Sequence, residues 1–366
     1  MIGYNSILTI NLKDMLVKRM QLRYILVLLC FLFSGSLWAQ NTLDKAGLTS
    51  STLPQFAYSL RKLSSSYTGP LVRIYNGTTY YDLYPDLAGG ISLSSKISAS
   101  ISYATATSAA STNSLSSIIT NGLTNLAVAI WYDQSGAGLD MKTASTNPPK
   151  LMTAGSFQLL NGKPTIYFAG VSANTDFLRT SQNLDFTNYT AGTYSLVIQN
   201  VASTNVISGI VNMGIGGAWG FAYSPGSPYG YYVDGSGCMN AVTGELTTDA
   251  KQFTAFITKN VSSYIYENGT LKASKTTSPC NFTNTASYVS LGTRDGGGTT
   301  RKFEGKMSEI IFFPTNINST AQSAIEGNQL ANFFDPSVRI SSNAASNTIC
   351  AGDTVTFTAT AYNASN

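Results

Sequence analysis

Short apolar runs, broken at close intervals by Gly, Asn, Pro and Ser, constrain this chain more than any other feature. Leu126–Tyr132, Thr193–Gln199, Val206–Met213, Phe253–Lys259, Tyr288–Gly292 and Met307–Phe313 each have the length of one strand and fall short of an ordinary helix. Tyr264–Glu267 and Thr270–Lys272 flank Asn268-Gly269. That pair suits a two-residue type I′ hairpin, in which both central residues take positive φ. Many strands and few helices predict an all-β fold, an antiparallel β-sandwich. Two segments read as helical. Phe56, Leu60, Leu63 and Tyr67 recur at helical spacing and predict a short N-terminal helix over 54–67, ended by Gly69-Pro70. Ser319-Thr-Ala-Gln322 has the capping-box pattern and opens a helix through Ala331. Residues 91–120, rich in Ser, Ala and Thr, read as a long loop or weak strands.

Only 11% of residues are charged, against roughly 25% in an ordinary soluble domain. Hydrophobic residues at 43% supply a sizeable core, so low charge does not mean disorder. The sequence contains no His, which excludes Ser-His-Asp and Cys-His nucleophile systems and any His-ligated metal site. No CxxC or other metal-ligand spacing is present, and neither a metal nor a cofactor is expected.

The first 39 residues read as an export signal: Lys18, Arg19 and Arg23 precede the apolar run Tyr24–Phe33, and Ala39 offers a cleavage site before Gln40. A run of about ten residues is half of the ~20 that span a bilayer, so no membrane span is expected in the mature chain. Cleavage there removes four of the 22 basic and one of the 18 acidic residues, leaving 18 against 17, a net charge of +1. No basic patch remains for nucleic acid. A secreted or cell-surface location, in a bacterial source, follows as an expectation. Cys238, Cys280 and Cys350 then remain, and a Cys238–Cys280 disulfide and separate buried thiols stay equally open. The expected organisation is a signal over 1–39, one sandwich domain over 40–336, and the stub of a second domain over 337–366. There Val355, Phe357, Ala359 and Ala361 alternate with Thr after Ile349-Cys-Ala-Gly-Asp353, which resembles the start of bacterial immunoglobulin-like domains.

Three blocks carry a wider resemblance. Ala57-Tyr-Ser-Leu-Arg-Lys-Leu-Ser-Ser-Ser-Tyr-Thr-Gly-Pro-Leu-Val-Arg73, then Trp131-Tyr-Asp-Gln-Ser-Gly-Ala-Gly138, then Val289-Ser-Leu-Gly-Thr-Arg-Asp295 with Phe303-Glu-Gly-Lys-Met307, resemble in order the catalytic domain of the α-L-arabinofuranosidase B family. The resemblance implies a concanavalin-A-like jelly roll and retaining hydrolysis of terminal arabinofuranose on arabinan or arabinoxylan, a plant polysaccharide partner. Such chemistry needs two carboxyl groups ~5–5.5 Å apart. Asp295 falls on the family's acid/base position. The family's nucleophile segment corresponds to Trp219-Gly220 through Val233-Asp234-Gly235-Ser236, with Ser236 where the family has glutamate; a serine without a base is no substitute. The implied site is Asp295 as proton donor, Trp219 as a stacking surface, Asp234 as a sugar hydrogen-bonding group and Asp133 as a further ligand contact. Each also has a structural reading: Asp295 and Asp133 as turn residues, Trp219 as core. A non-catalytic carbohydrate-binding or adhesion module is the competing function, favoured by the missing glutamate.

Overall fold

The structure, a computed structural model, describes residues 41–143, 147–170, 176–201, 208–214, 219–224, 230–234, 240–242, 248–276, 286–294, 301–334, 337–342 and 357–362. Two antiparallel layers enclose the core. In the first, strands run in the spatial order Thr270–Lys275, Ser262–Glu267, Ala250–Thr258, Ala191–Asn200, Glu304–Phe313, and both Phe56–Ser59 and Ile166–Ala169 lie along the far edge of Glu304–Phe313. In the second the order is Tyr80–Leu83, Val72–Tyr75, Leu126–Trp131, Met141–Thr143, Leu178–Thr180, Val289–Leu291, Ser208–Met213, Gly220–Ser224, Gly230–Asp234, Asn240–Val242. Lys150–Thr153 joins the layers, pairing with Leu126–Trp131 on one side and with Tyr167 on the other.

Alternation decides what each face does. Tyr194, Leu196, Ile198, Ile310 and Phe312 of the first layer meet Val72, Ile74, Val128, Leu178, Phe221 and Leu291 of the second in one continuous core. The all-β sandwich expected from the strand pattern is thus present. The turn chemistry also holds: Asn268 (φ 49°) and Gly269 (φ 77°) both take the left-handed conformation the hairpin requires.

The helix expected over 54–67 does not form. Phe56–Ser59 is a strand paired with Glu309–Phe312, and the N-terminal helix is instead a single turn, Thr42–Lys45. Phe56 and Tyr58 enter the main core, while Ala57 and Leu63 enter a second cluster with Ile311, Phe313, Ile317 and Ile325 on the layer's other side. A strand buried on both faces has no polar phase, so its spacing imitates a helix. The residues after it are held open by Gln134, whose Oε1 accepts from Leu63 N at 2.9 Å while its Nε2 donates to Ser59 O (3.1 Å) and Arg61 O (2.9 Å). These side-chain bonds take up backbone groups that a helix would have paired. Leu63 is fully buried all the same, so Leu63→Ala is expected to cost ~2–5 kcal/mol in chemical denaturation. An unchanged midpoint would contradict that packing.

Residues 91–120 hold two short strands, Lys96–Ser98 and Ala110–Ser114, as expected, and end in a short helix that was not, Leu115–Thr120, anchored by buried Leu115 and Ile118. The helix Ser319–Phe333 is capped not by a box at Ser319 but one residue earlier, where Asn318 Oδ1 accepts from Ala321 N at 2.8 Å.

This helix lies on the outer face of the first layer over a buried polar cluster. Glu309 Oε2 accepts from Arg61 Nε (2.9 Å) and Ser59 Oγ (3.0 Å), and its Oε1 accepts from Arg61 Nη2 and Gln329 Nε2 (both 3.2 Å). Gln329 Oε1 in turn accepts from Ser195 Oγ and Gln252 Nε2. Ser337–Ser342 pairs with Phe357–Tyr362 in a separate two-stranded sheet. No helix among the described residues is long and apolar enough to cross a membrane. The N-terminal 40 residues, the three remaining cysteines and the Asp335-Pro336 break lie outside the described residues.

Candidate functional site

The outer face of the second layer carries a mostly polar row of residues running across its strands, interrupted by Ile130 and Gly220. Reading directly opposed partners from one edge, Asp82, Arg73, Ile130, Lys142, Arg179, Ser290, Asn212, Gly220 and Asp234 face one another in turn. Opposed residues project to one side of a sheet, and the alternate positions Val72, Met141, Leu178, Val289, Leu291, Phe221 and Val233 are in the core. The row therefore looks away from the core.

Its first end is a closed ion-pair cluster. Asp82 Oδ1 accepts from Arg73 Nε (2.8 Å) and from the Tyr132 hydroxyl (2.6 Å), and Asp82 Oδ2 accepts from Arg73 Nη2 (2.9 Å). Burial and the Asp82 charge push the Tyr132 phenol well above its ordinary range. Beside it, Asp140 precedes Met141 and shares the face of Lys142. Burial raises its carboxyl above the ordinary value although Asp133 N donates to Oδ1 at 3.0 Å. Midway, the Arg179 guanidinium stacks at 4.8 Å over Tyr288, a half-exposed ring.

At the far end the row meets the segment leading to Asp295. Gly209 lies on the outer face, and a Cβ there would fall 2.2 Å from Arg294 N and 2.4 Å from Arg294 Cα. Only glycine lets the chain after Val289–Leu291 cross the sheet at that point. Asn212 then fastens it, donating from Nδ2 to Arg294 O and Gly214 O. Gly209 N and Arg294 N both donate to Arg301 O, at 3.2 and 3.3 Å, which closes the hairpin base. Asn212 and Asp234 are two strand spacings apart, about 10 Å. The backbone thus brings Arg294 and Asp234 to the same end of the same face. Asp295, Ser236 and the Asp234 side chain lie outside the described residues.

Trp219 does not join them as an open stacking surface. It is fully buried in the main core, 6.3 Å centroid to centroid from Tyr189 and over Gly192, which has no side chain to obstruct it. Gly220 belongs to the row on the outer face, opposite Asn212, so the residue one step earlier falls on the inner face. Nor is Asp133 free for a ligand. Its Oδ1 accepts from Ala57 N and Ser135 N (both 2.9 Å), and its Oδ2 accepts from Ser135 Oγ (2.8 Å) and Leu139 N (3.0 Å). With Gln134 it ties the 131–138 loop to the 57–63 segment. The sequence reading missed Asp140, Arg179 and Asn212, because only strand register reveals their common face.

A second buried carboxyl lies between Ile166–Ala169 and Leu178–Thr180. Asp176 Oδ2 accepts from Ala169 N and Gly170 N, and Oδ1 is buried with no hydrogen-bond partner. Burial outweighs those donors and nearby Lys302, raising its pKa from 3.8 to about 6. Between about pH 4 and 6 the native state binds more protons at this group than the unfolded chain, so stability falls as pH rises through that window. Asp176→Asn is expected to flatten this slope and raise the melting temperature at pH 7. Parallel curves for variant and wild type from pH 4 to 7 would contradict it.

No family model matches the chain, and no curated protein matches it. Solved structures do. An arabinofuranosidase complexed with arabinofuranosyl-α-1,2-xylobiose is similar at 15% identity and a TM-score of 0.54. A GH54 α-L-arabinofuranosidase mutant soaked with 4-nitrophenyl α-L-arabinofuranoside gives 15% and 0.53, and a GH54 enzyme soaked with a cyclic sulfate inhibitor gives 16% and 0.50. Each match covers 77% of this chain and 63% of the other, so the chain spans less than two thirds of the length of these enzymes. At this level of identity, what the chain shares with the arabinofuranosidases is their β-sandwich fold.

Proposed function

We propose that this chain is an exported carbohydrate-active domain of the α-L-arabinofuranosidase B type that binds terminal arabinofuranose of arabinan or arabinoxylan on the outer face of the second layer. The observation that carries the reading is the register row ending at Asn212, Gly220 and Asp234, with Arg294 fastened to it by Asn212. Asp295, the next residue, supplies the proton in this reading, and Asp234 accepts from a sugar hydroxyl. Arg179, with the half-exposed Tyr288 ring, offers donors and an aromatic edge farther along the face. Retaining hydrolysis needs a second carboxyl ~5–5.5 Å from the first. With Ser236 at the nucleophile position, hydrolysis is absent or slow, and sugar binding is the dominant property.

The test pairs an arabinofuranoside hydrolysis assay with binding to arabinan and arabinoxylan, using the whole chain. Binding that weakens at least tenfold in Asp234→Asn, with hydrolysis weak or absent, is the expected result. Binding unaffected by both Asp234→Asn and Asp295→Asn rejects the site. Robust hydrolysis that survives Asp295→Asn rejects the proton donor.

A further inference from the structure

We infer that the chain carries a second saccharide-binding site, in a groove of about 450 Å³ bordered by Tyr75, Ala127, Lys150 and Tyr167. These four residues are successive opposed partners across the strands Val72–Tyr75, Leu126–Trp131, Lys150–Thr153 and Ile166–Ala169. Ala127 contributes only a methyl group between a phenol ring and an ammonium group. The groove is the slot left by that short side chain.

Its wall is prepared for a ring. Tyr75 stacks on Tyr80 at 4.5 Å between centroids with 19° between planes, and its hydroxyl donates to Gly77 O, which fixes the ring's orientation. Tyr103, on the exposed surface, packs against Tyr80 at 5.6 Å and extends the aromatic strip beyond the groove. Aromatic rings present flat apolar area to the C–H face of a sugar.

The amide and ammonium donors around this wall are available. Asn76 Oδ1 accepts from Thr78 N and Thr79 N (both 2.9 Å), and Asn125 Oδ1 accepts from Ala154 N (3.1 Å). Both amides are thereby fixed, and their Nδ2 donors have no partner among the described residues. The exposed ammonium of Lys150 has none either. At the inner end sits Asp176 with its orphan Oδ1. Amide donors, one cation and a carboxyl acceptor beside an aromatic surface match a hydroxylated ring. A hydrocarbon ligand would bury those polar groups unpaired, and a phosphate would find only Lys150 to neutralise it.

The site is separate from the Asp234 end of the row. Seven strand spacings lie between Val72–Tyr75 and Gly230–Asp234, a contour of about 34 Å along the sheet. A polysaccharide held at the groove keeps the rest of its chain near the other site, raising its effective concentration there.

Titration calorimetry of the whole chain with xylohexaose and cellohexaose, which carry no arabinofuranose, tests this. At least one probe is expected to bind, and Tyr75→Ala and Lys150→Ala each to weaken that probe at least tenfold while Asp234→Asn does not. Lys150 is exposed, so its variant tests the groove even if Tyr75→Ala folds poorly. Binding that is lost in Asp234→Asn and intact in Tyr75→Ala and Lys150→Ala overturns the second site and leaves the proposed function standing. No binding of any probe overturns it as well.

Discussion

Glu309→Ala is expected to destabilise the domain by about 3–5 kcal/mol, the range for removing one partner of a buried ion pair. Glu309 is fully buried beneath the helix Ser319–Phe333, and its two oxygens are the acceptors for Arg61, Ser59 and Gln329. Without it the Arg61 guanidinium, largely enclosed, faces hydroxyl and amide groups that cannot neutralise it. At roughly 2–4 °C per kcal/mol for a domain approaching this size, the melting temperature should fall on the order of 10 °C. The cost belongs to the stranded charge rather than to a strong bond. The double variant Glu309→Leu with Arg61→Met should therefore recover most of the loss. A double variant no better than Glu309→Ala would show that the hydrogen bonds, not the charge, were decisive.

Gly209→Ala should damage the site more than the fold. The added methyl meets backbone at Arg294, not a side chain that can swing aside, so the 293–302 hairpin must move. Overpacking of this kind costs typically 1–3 kcal/mol. Hydrogen exchange reads the displacement directly. Gly209 N and Arg294 N, both donors to Arg301 O, should lose protection while Tyr194 and Leu196, in the middle of the first layer, keep theirs. With Asp295 and Asp234 as the proposed sugar site, a shift of ~1 Å at Arg294 should weaken arabinan binding and lower any hydrolysis by about a hundredfold. Unchanged exchange at Arg294 would mean that the crossing tolerates a side chain and that the constraint on Gly209 is not real.

The strands were legible where alternation or turn chemistry marked them. Asn268-Gly269 announced its hairpin because few residues accept two positive φ angles in succession. Phe56–Ser59 was not legible, since its partner, Glu309–Phe312, lies some 250 residues away and no local pattern encodes it. The loop Asp133–Gly138 was recognised as a unit but not for its task. Its carboxylate and amide are occupied in bonding the 57–63 backbone, which depends on tertiary proximity. Trp219 shows the same limit. Flanking glycines allow exposure or burial alike, and only the register against Asn212 places the indole inside. Asp140, Arg179 and Asn212 have no motif at all. They come together through strand pairing.

The long strand Glu304–Phe313 sits between Ala191–Asn200 on one side and both Phe56–Ser59 and Ile166–Ala169 on the other. It is thus the keystone for segments synthesised far earlier. Until it emerges from the ribosome, three strand edges remain unpaired at once, and unpaired edges invite association with other chains. Closure must bridge most of the sequence, a topology that folds slowly. A nascent or truncated chain ending before residue 304 would hold most of its strands and yet be an aggregation-prone intermediate, so completion of this protein is decided by one of its last strands.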